Sequence, residues 1–301
     1  MKDIALYCKS YRRDFLRLKR LLESIEEFNK DQIPFYISTP IDQYGDLVDI
    51  LGNDAKYHWV SDESIVTANP RAPVGIEKTR SGGLSQQVIK SEFWRLGISE
   101  CYVCIDSDSL FIQDFYKTDF LTEQGYPYTV LHQNKEYFQL ASNLRKYKVQ
   151  EDLMAEAKRV QALFDRRGPN FYYAPSPFIW AASVWKSLDE CYLSPKGISI
   201  WELIDESHPE SLIYGEAILK FKAIPLMAIE PLFRVYHYDW QYFMMRRFGE
   251  TLDKLRDNYM GVIYQSNWNK KLDSGRDQKI NASYVLKKLK YFLRYFYSCV
   301  R

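Results

Sequence analysis

Tyr102-Val-Cys-Ile-Asp-Ser-Asp-Ser-Leu-Phe111 is the stretch from which the rest of the chain can be read. Four mostly apolar, β-prone residues run into Asp106-Ser107-Asp108, and apolar character resumes at Leu110. This pattern predicts a buried strand that presents two carboxylates at its C-terminal edge. Aspartates at i and i+2 of a strand point the same way, so both can face one cation. Oxygen-only ligands suit Mg2+ or Mn2+, which complete their shells with water and substrate phosphates. The competing reading is a strand-end turn capped by aspartates.

Upstream, short apolar runs alternate with helical periodicity. Ile4–Cys8 reads as a first strand, and a helix follows from Asp14, a candidate N-cap. Its apolar positions Phe15, Leu18, Leu21, Leu22, Ile25 and Phe28 share one face. Ile33–Ser38 and Lys56–Val60 read as further strands around a helix over Asp42–Leu51. This β-α-β-α-β opening predicts a parallel sheet with right-handed crossovers, the layout of nucleotide-binding α/β folds. The chain contains no G-x-G-x-x-G and no Walker A sequence, so neither a dinucleotide fingerprint nor a P-loop is supported.

Thr67–Gly83 reads as an irregular loop beside the site, and Leu84–Leu96 as a helix feeding the aspartate strand. Downstream, Pro127–His132 is predicted as a strand and Glu136–Phe164 as one long helical insertion. Asn170–Trp180 is held extended by Pro175 and Pro177. Helices are expected over Ala181–Leu188, Glu210–Phe221 and Trp240–Arg256, and strands over Ile224–Ile229, Phe233–Tyr238 and Met260–Tyr264. Ile280–Arg301 is a basic amphipathic helix: Val285, Leu289, Phe292, Phe296 and Val300 form one face, with Lys287, Lys290, Arg294 and Arg301 roughly opposite. Such a helix either lies on an anionic membrane surface or packs on the domain.

Composition sets the bounds. The 301 residues are 46% hydrophobic and 27% charged, an ordinary globular balance with length enough for a sizeable core. A net charge of +2 argues against a polyanion binder, and no nucleic-acid partner is expected. The 24 Tyr, 17 Phe and 7 Trp suit sugar or base stacking, although most of them should be core. Five scattered cysteines include a lone Cys101-x-x-Cys104 without a second pair at zinc spacing; free buried thiols of a reducing cytosol are the better reading. The N-terminus runs straight into a strand without a signal-peptide pattern, and no apolar run reaches the roughly 20 residues of a membrane span. A cytoplasmic protein is expected, peripheral on the inner face of the membrane if the tail binds lipid.

Three short motifs, in order, carry a family resemblance. They are Ser10-Tyr11-Arg12-Arg13-Asp14, Gly82-Gly83-Leu84-Ser85-Gln86-Gln87-Val88-Ile89-Lys90, and Ile105-Asp106-Ser107-Asp108. A later stretch, Glu210–Glu216, is similar to the acidic-aromatic segment after an acceptor loop. Together they resemble bacterial GT-A-type glycosyltransferases, and most of all an uncharacterised, DUF6492-like family with a D-x-D motif. The resemblance covers about residues 3–265 and leaves the tail outside it. It implies a GT-A-like, Rossmann-type α/β fold: a mostly parallel central sheet flanked by helices, with a helical insertion. A nucleotide-sugar half over about 1–132, an acceptor half over about 133–265 and a tail from 266 follow from it.

The resemblance further implies a nucleotide-sugar donor, most simply a UDP-sugar, and a divalent cation, Mn2+ or Mg2+, for surface-polysaccharide assembly on a glycan or lipid-linked acceptor. Asp106 would reach the ribose or the metal, and Asp108 the metal. Ser10, Tyr11 and Arg13 would lie at the base and ribose, with Gln87 and Lys90 on the donor; Arg80 is a second phosphate candidate or an ordinary solvated cation. His237, at the end of a late strand, stands where such enzymes often take a third metal ligand; a structural histidine is the alternative. For an inverting transfer, Glu216 is the expected base, whereas Glu210 at a helix start has an ordinary dipole explanation. Tyr172, Tyr173, Ser176 and Trp180 are expected around the acceptor, Trp180 more as core. The alternatives are a non-catalytic carbohydrate- or nucleotide-binding protein that keeps the fold, and an aspartate-based phosphotransferase. The latter is disfavoured because the first strand ends in Cys8-Lys9-Ser10 rather than in an aspartate.

Overall fold

The local periodicities above become the elements of a computed structural model that describes residues 2–73, 75–76, 82–143, 145–269 and 282–299. In chain order the first half comprises β1 (Lys2–Lys9), α1 (Phe15–Phe28), β2 (Phe35–Thr39), α2 (Tyr44–Leu51), β3 (His58–Ser61), α3 (Asp62–Thr67), α4 (Gly82–Glu92), β4 (Ser99–Cys104), β5 (Ser109–Phe111) and β6 (Tyr128–Val130). The second comprises α5 (Lys135–Asn143), α6 (Tyr147–Leu163), β7 (Phe178–Ala181), α7 (Ala182–Leu188), α8 (Glu210–Phe221), β8 (Met227–Ile229), β9 (Phe233–Tyr236), α9 (Asp239–Arg247), β10 (Gly261–Tyr264) and α10 (Ala282–Cys299), with short single turns between.

The central sheet has the order β3-β2-β1-β4-β7. Its first four strands are parallel, and β7 joins β4 antiparallel. This is the mixed α/β, mostly parallel sheet with flanking helices that the sequence predicts. Two smaller sheets accompany it: β5-β10-β9, and β6 paired with β8. The apolar stripe of α1 is buried as expected, from Phe15 at 0% to Ile25 at 3% exposure. Much of the aromatic content is core. Tyr7 stacks on Phe93 at 3.9 Å, Phe93 meets Tyr102 edge-on at 5.2 Å, and Trp180 links Tyr102 to Tyr214. Cys8, Cys101 and Cys104 are free and buried, and burial pushes the Cys101 thiol up to about 12.

The structure corrects several expectations. Asp106–Asp108 form the turn between β4 and β5 instead of extending the strand. Asp14 does occupy the N-cap position of α1, but its side chain pairs with Arg17 instead of capping the backbone. The long insertion is two helices, broken where Arg145 takes a left-handed φ of +54°. The stretch over Trp240–Arg256 likewise breaks, at Gly249 with φ +88°. Arg80, the second phosphate candidate, lies outside the described residues.

One close approach ties the second sheet together. A Cβ on Gly261 would lie 2.4 Å from the Phe233 ring and 2.6 Å from the Leu110 carbonyl, so only glycine lets β10 pass between β5 and β9. Gly261→Ala should destabilise the fold by about 2 kcal/mol or more, by overpacking against backbone that cannot yield. A thermal midpoint within about 1 °C of wild type would contradict this packing.

Candidate active site at the carboxyl edge of the parallel sheet

The chain leaves β1 outward to β2 and β3, then returns to place β4 on the other side of β1. The loops after β1 and β4 therefore diverge, and the crevice between them is where open α/β sheets bind ligands. Ser10 and Tyr11 follow β1, and Asp106–Asp108 follow β4. The Ile105 amide still bonds the Tyr7 carbonyl at 2.8 Å, so the aspartates begin one residue beyond the last rung.

That turn is held from several sides. The Ser109 amide donates to the Asp106 carbonyl at 3.0 Å. The Asp106 amide donates to Ser176 Oγ at 3.1 Å, and Ser176 Oγ donates to the Cys104 carbonyl at 3.3 Å. Ser176, buried at 2% exposure, thus supports the aspartate turn. Asp108 accepts from the Ser266 amide at 2.7 Å on Oδ2, while its own carbonyl accepts from Tyr264 at 3.2 Å. The first third of the chain and the segment after β10 thereby meet at one residue.

Two charged groups, Lys90 and Glu210, flank the aspartates of this turn. Lys90, on the inner face of α4 with a side chain 4% exposed, pairs directly with Asp106, whose side chain keeps 27% exposure. Burial would lower the Lys90 pKa, but Asp106, Cys104 and Glu210 more than offset that and hold it firmly protonated. Asp108 is pushed up to about 7 by burial and by the neighbouring Asp106 charge, against the opposing Ser266 amide. Glu210, at the first position of α8 and 7% exposed, is also pushed up to about 7. Burial is the main cause, with Lys90 opposing and Asp106 adding to it.

Two mutually repelling carboxylates, one still open to solvent, suit a hard divalent cation that draws its other ligands from water and phosphate. His237 does not join them. Among the described residues no group of three or more His, Cys, Asp or Glu side chains is arranged to hold a metal ion. The reason is the sheet: β10 lies between β5, which follows Asp108, and β9, which precedes His237. The His237 ring packs 5.0 Å from Tyr137, and burial together with Arg234 and His132 lowers its pKa to about 4.

A cavity of about 640 Å³ runs along the ends of β1, β2 and β3 and the start of α4. Lys9, Tyr11, Ile41, Asp62, Gly82 and Gln86 are among its walls. Lys9 and Asp62 form a buried ion pair at 2.8 Å, which fixes the floor between β1 and α3. Tyr11 is 39% exposed at the rim, and Ser10 is buried with an Oγ that has no hydrogen-bond partner. Of the other expected donor contacts, Arg13 is exposed and does not line the cavity, and Gln86 stands in the wall where Gln87 was expected. Gln87 Oε1 is instead buried without a partner.

A second cavity, of about 430 Å³, is walled by Tyr137, Asp152, Glu156, Tyr172, Tyr173 and His237 and reaches Pro209 and Ser211, the neighbours of Glu210. Tyr172 and Tyr173 line this cavity, whereas Trp180 is core at 2% exposure. Glu216 is 2% exposed and gripped by Arg166 through both oxygens, at 2.5 and 2.7 Å. It serves as a structural anchor for the segment before Tyr173. Glu216 was the expected base, but it is Glu210 whose carboxyl feels the Asp106 and Lys90 charges. Helix spacing separates the two: six residues put them about 120° apart around α8. Lys9, Asp62 and the supporting role of Ser176 carry no motif; only the position of Lys9 at the end of the first strand hints at the site.

This chain belongs to a family of unknown function, DUF6492, whose model matches residues 4–168. Among solved structures, it is similar to that of a galactosyltransferase, LgtC, in complex with donor and acceptor sugar analogues. The TM-score is 0.47 and the identity 11%, over 94% of this chain and 99% of that one. No curated protein matches the sequence.

Proposed function

We propose that this protein is a metal-dependent glycosyltransferase that moves a sugar from a nucleotide-diphosphate donor, most simply a UDP-sugar, to a hydroxyl of a glycan or lipid-linked acceptor. What supports this assignment is the convergence of Asp106, Asp108, Lys90 and Glu210 at the switch point of the parallel sheet, with a cavity on either side. The nucleoside occupies the cavity along β1–β3, where Tyr11 offers a ring for the base; Ser10, buried just behind it, has a hydroxyl without a hydrogen-bond partner. The acceptor enters the tyrosine-lined cavity beside Pro209 and Ser211.

Asp106 and Asp108 would hold a divalent cation, Mg2+ or Mn2+, which when bound would supply charge to stabilise the departing diphosphate. Lys90 pairs with Asp106 and fixes it in place. Glu210 takes the acceptor proton as the acceptor oxygen bonds to the anomeric carbon and the bond to the diphosphate oxygen breaks, with inversion. A carboxylate pushed up to about 7 is well matched to that task near neutral pH. The reaction belongs at the cytoplasmic face of the membrane, in surface-polysaccharide assembly.

Titration calorimetry of UDP with Mn2+, with Mg2+ and with a chelator tests this reading. Metal-dependent UDP binding, followed by turnover of at least one UDP-sugar, is expected. Absence of binding by any nucleoside diphosphate would overturn it, as would affinity that the chelator leaves unchanged. UDP binding without turnover on any acceptor would favour a non-catalytic binding protein.

A further inference from the structure

Among the described residues the most exposed apolar surface lies far along the chain from this site, on α10, and does not depend on the transferase reading. One side of α10 is docked: Tyr291 is buried at 5% exposure and donates from its hydroxyl to Asp239 Oδ1 at 2.6 Å. On the same side Tyr291 meets Phe243 at 6.0 Å, and Tyr295 meets Phe248 at 5.5 Å. The helix is therefore fixed against α9 with a defined orientation.

The other side faces solvent. Val285, Leu286, Leu289, Leu293, Phe296 and Tyr297 are each more than half exposed, Leu286 at 65% and Tyr297 at 76%. At about 100° per residue these six side chains, with Phe292, fall in one continuous arc of roughly 140°. Cations border the arc on both sides. Lys290 and Arg294 follow Tyr297 around the helix on one side. On the other, Lys288 lies 5.8 Å from the Phe243 ring, and Arg247 of α9 lies 5.2 Å from Phe292. Ala282–Cys299 contains four cations, Lys287, Lys288, Lys290 and Arg294, and no carboxylate.

We infer that α10 seats the protein on an anionic lipid surface, lying in the interface plane with the leucine-phenylalanine arc in the acyl boundary and the cations at the headgroups. The geometry is that of an interfacial helix: a wide apolar arc, basic borders and aromatic residues at the edge. No described helix is long and apolar enough to cross a membrane. Charge separates lipid from a second copy of the chain. Two such helices packed arc to arc would bring basic borders together without a carboxylate on α10 to answer them, whereas anionic headgroups answer them directly. Both roles foreseen for this tail coexist, because one side of α10 packs on the domain while the other remains available.

Sedimentation of the full-length protein with sucrose-loaded vesicles tests this. Wild type should pellet with phosphatidylglycerol-phosphatidylcholine vesicles and at least about tenfold less with pure phosphatidylcholine. Leu289→Glu with Leu293→Glu should reduce partitioning more than about tenfold, since two buried leucines are lost. Lys290→Glu with Arg294→Glu should reduce it by about tenfold or more, and added salt should weaken the wild type. Thermal midpoints of both variants should match wild type, because the substituted side chains are not in the docked face. Equal pelleting of wild type and the leucine variant would overturn the proposal. So would a wild-type dimer in solution that ignores vesicles and that the leucine substitutions dissolve; that result would assign the arc to a second copy of this chain.

Discussion

Asp108→Ala should abolish metal-dependent nucleotide binding and lower sugar transfer by about a thousandfold, since metal charge stabilisation of a leaving group is worth several kcal/mol. The better variant is Asp108→Asn. It keeps an oxygen for the Ser266 amide, now at 2.7 Å, and it keeps the shape of the turn. Only the charge that would face the cation is removed. Stability should move the other way. Burial and the adjacent Asp106 push the Asp108 carboxyl up to about 7, above its unfolded value. A group raised in this way favours the fold below its unfolded pKa and loses that contribution as pH rises through the folded value. At pH 8 the wild-type carboxylate therefore costs stability that the amide does not. The expected pairing is activity lost with the thermal midpoint equal or higher. Mn2+-dependent UDP affinity within about threefold of wild type in Asp108→Asn, a change of under 1 kcal/mol, would remove the aspartates from the site.

The contrast between what the sequence reveals and what it hides follows the range of the interactions. Ile4–Cys8, Ile33–Ser38 and the α1 stripe are legible because apolar periodicity is a local property, and strand order follows from short right-handed crossovers. The aspartate turn is legible too, as apolar residues giving way to Asp106, although its support from Ser176 and Ser266 arrives from 70 and 158 residues away. Helix ends at Arg145 and Gly249 are set by single left-handed residues inside otherwise periodic stretches, a weak signal for a non-glycine such as Arg145. The metal set is the clearest failure of short-range reasoning. His237 has the right residue type at the end of a strand, but β10, later in sequence, takes the place next to β5 and keeps β9 one strand away.

Glu210 and Glu216 make the sharpest pair of substitutions, because they share one helix and differ only in what they face. Glu210→Gln should leave the fold intact and reduce turnover by about a hundredfold to ten-thousandfold, the span of a lost general base. UDP affinity should change little, since Glu210 lies on the side of the tyrosine-lined cavity. Glu216→Gln should behave in the opposite way. It strands the Arg166 guanidinium, whose two hydrogen bonds at 2.5 and 2.7 Å hold the chain before Tyr173. Breaking such a buried pair costs about 3 kcal/mol, toward the low end because Arg166 keeps some contact with water. Folded Glu216→Gln should retain substantial turnover. Chemical denaturation and initial rates on the two variants decide between the roles. A Glu216→Gln protein of wild-type stability with no activity would return the base to Glu216. A Glu210→Gln protein of wild-type activity would leave Glu210 as no more than the acidic start of α8.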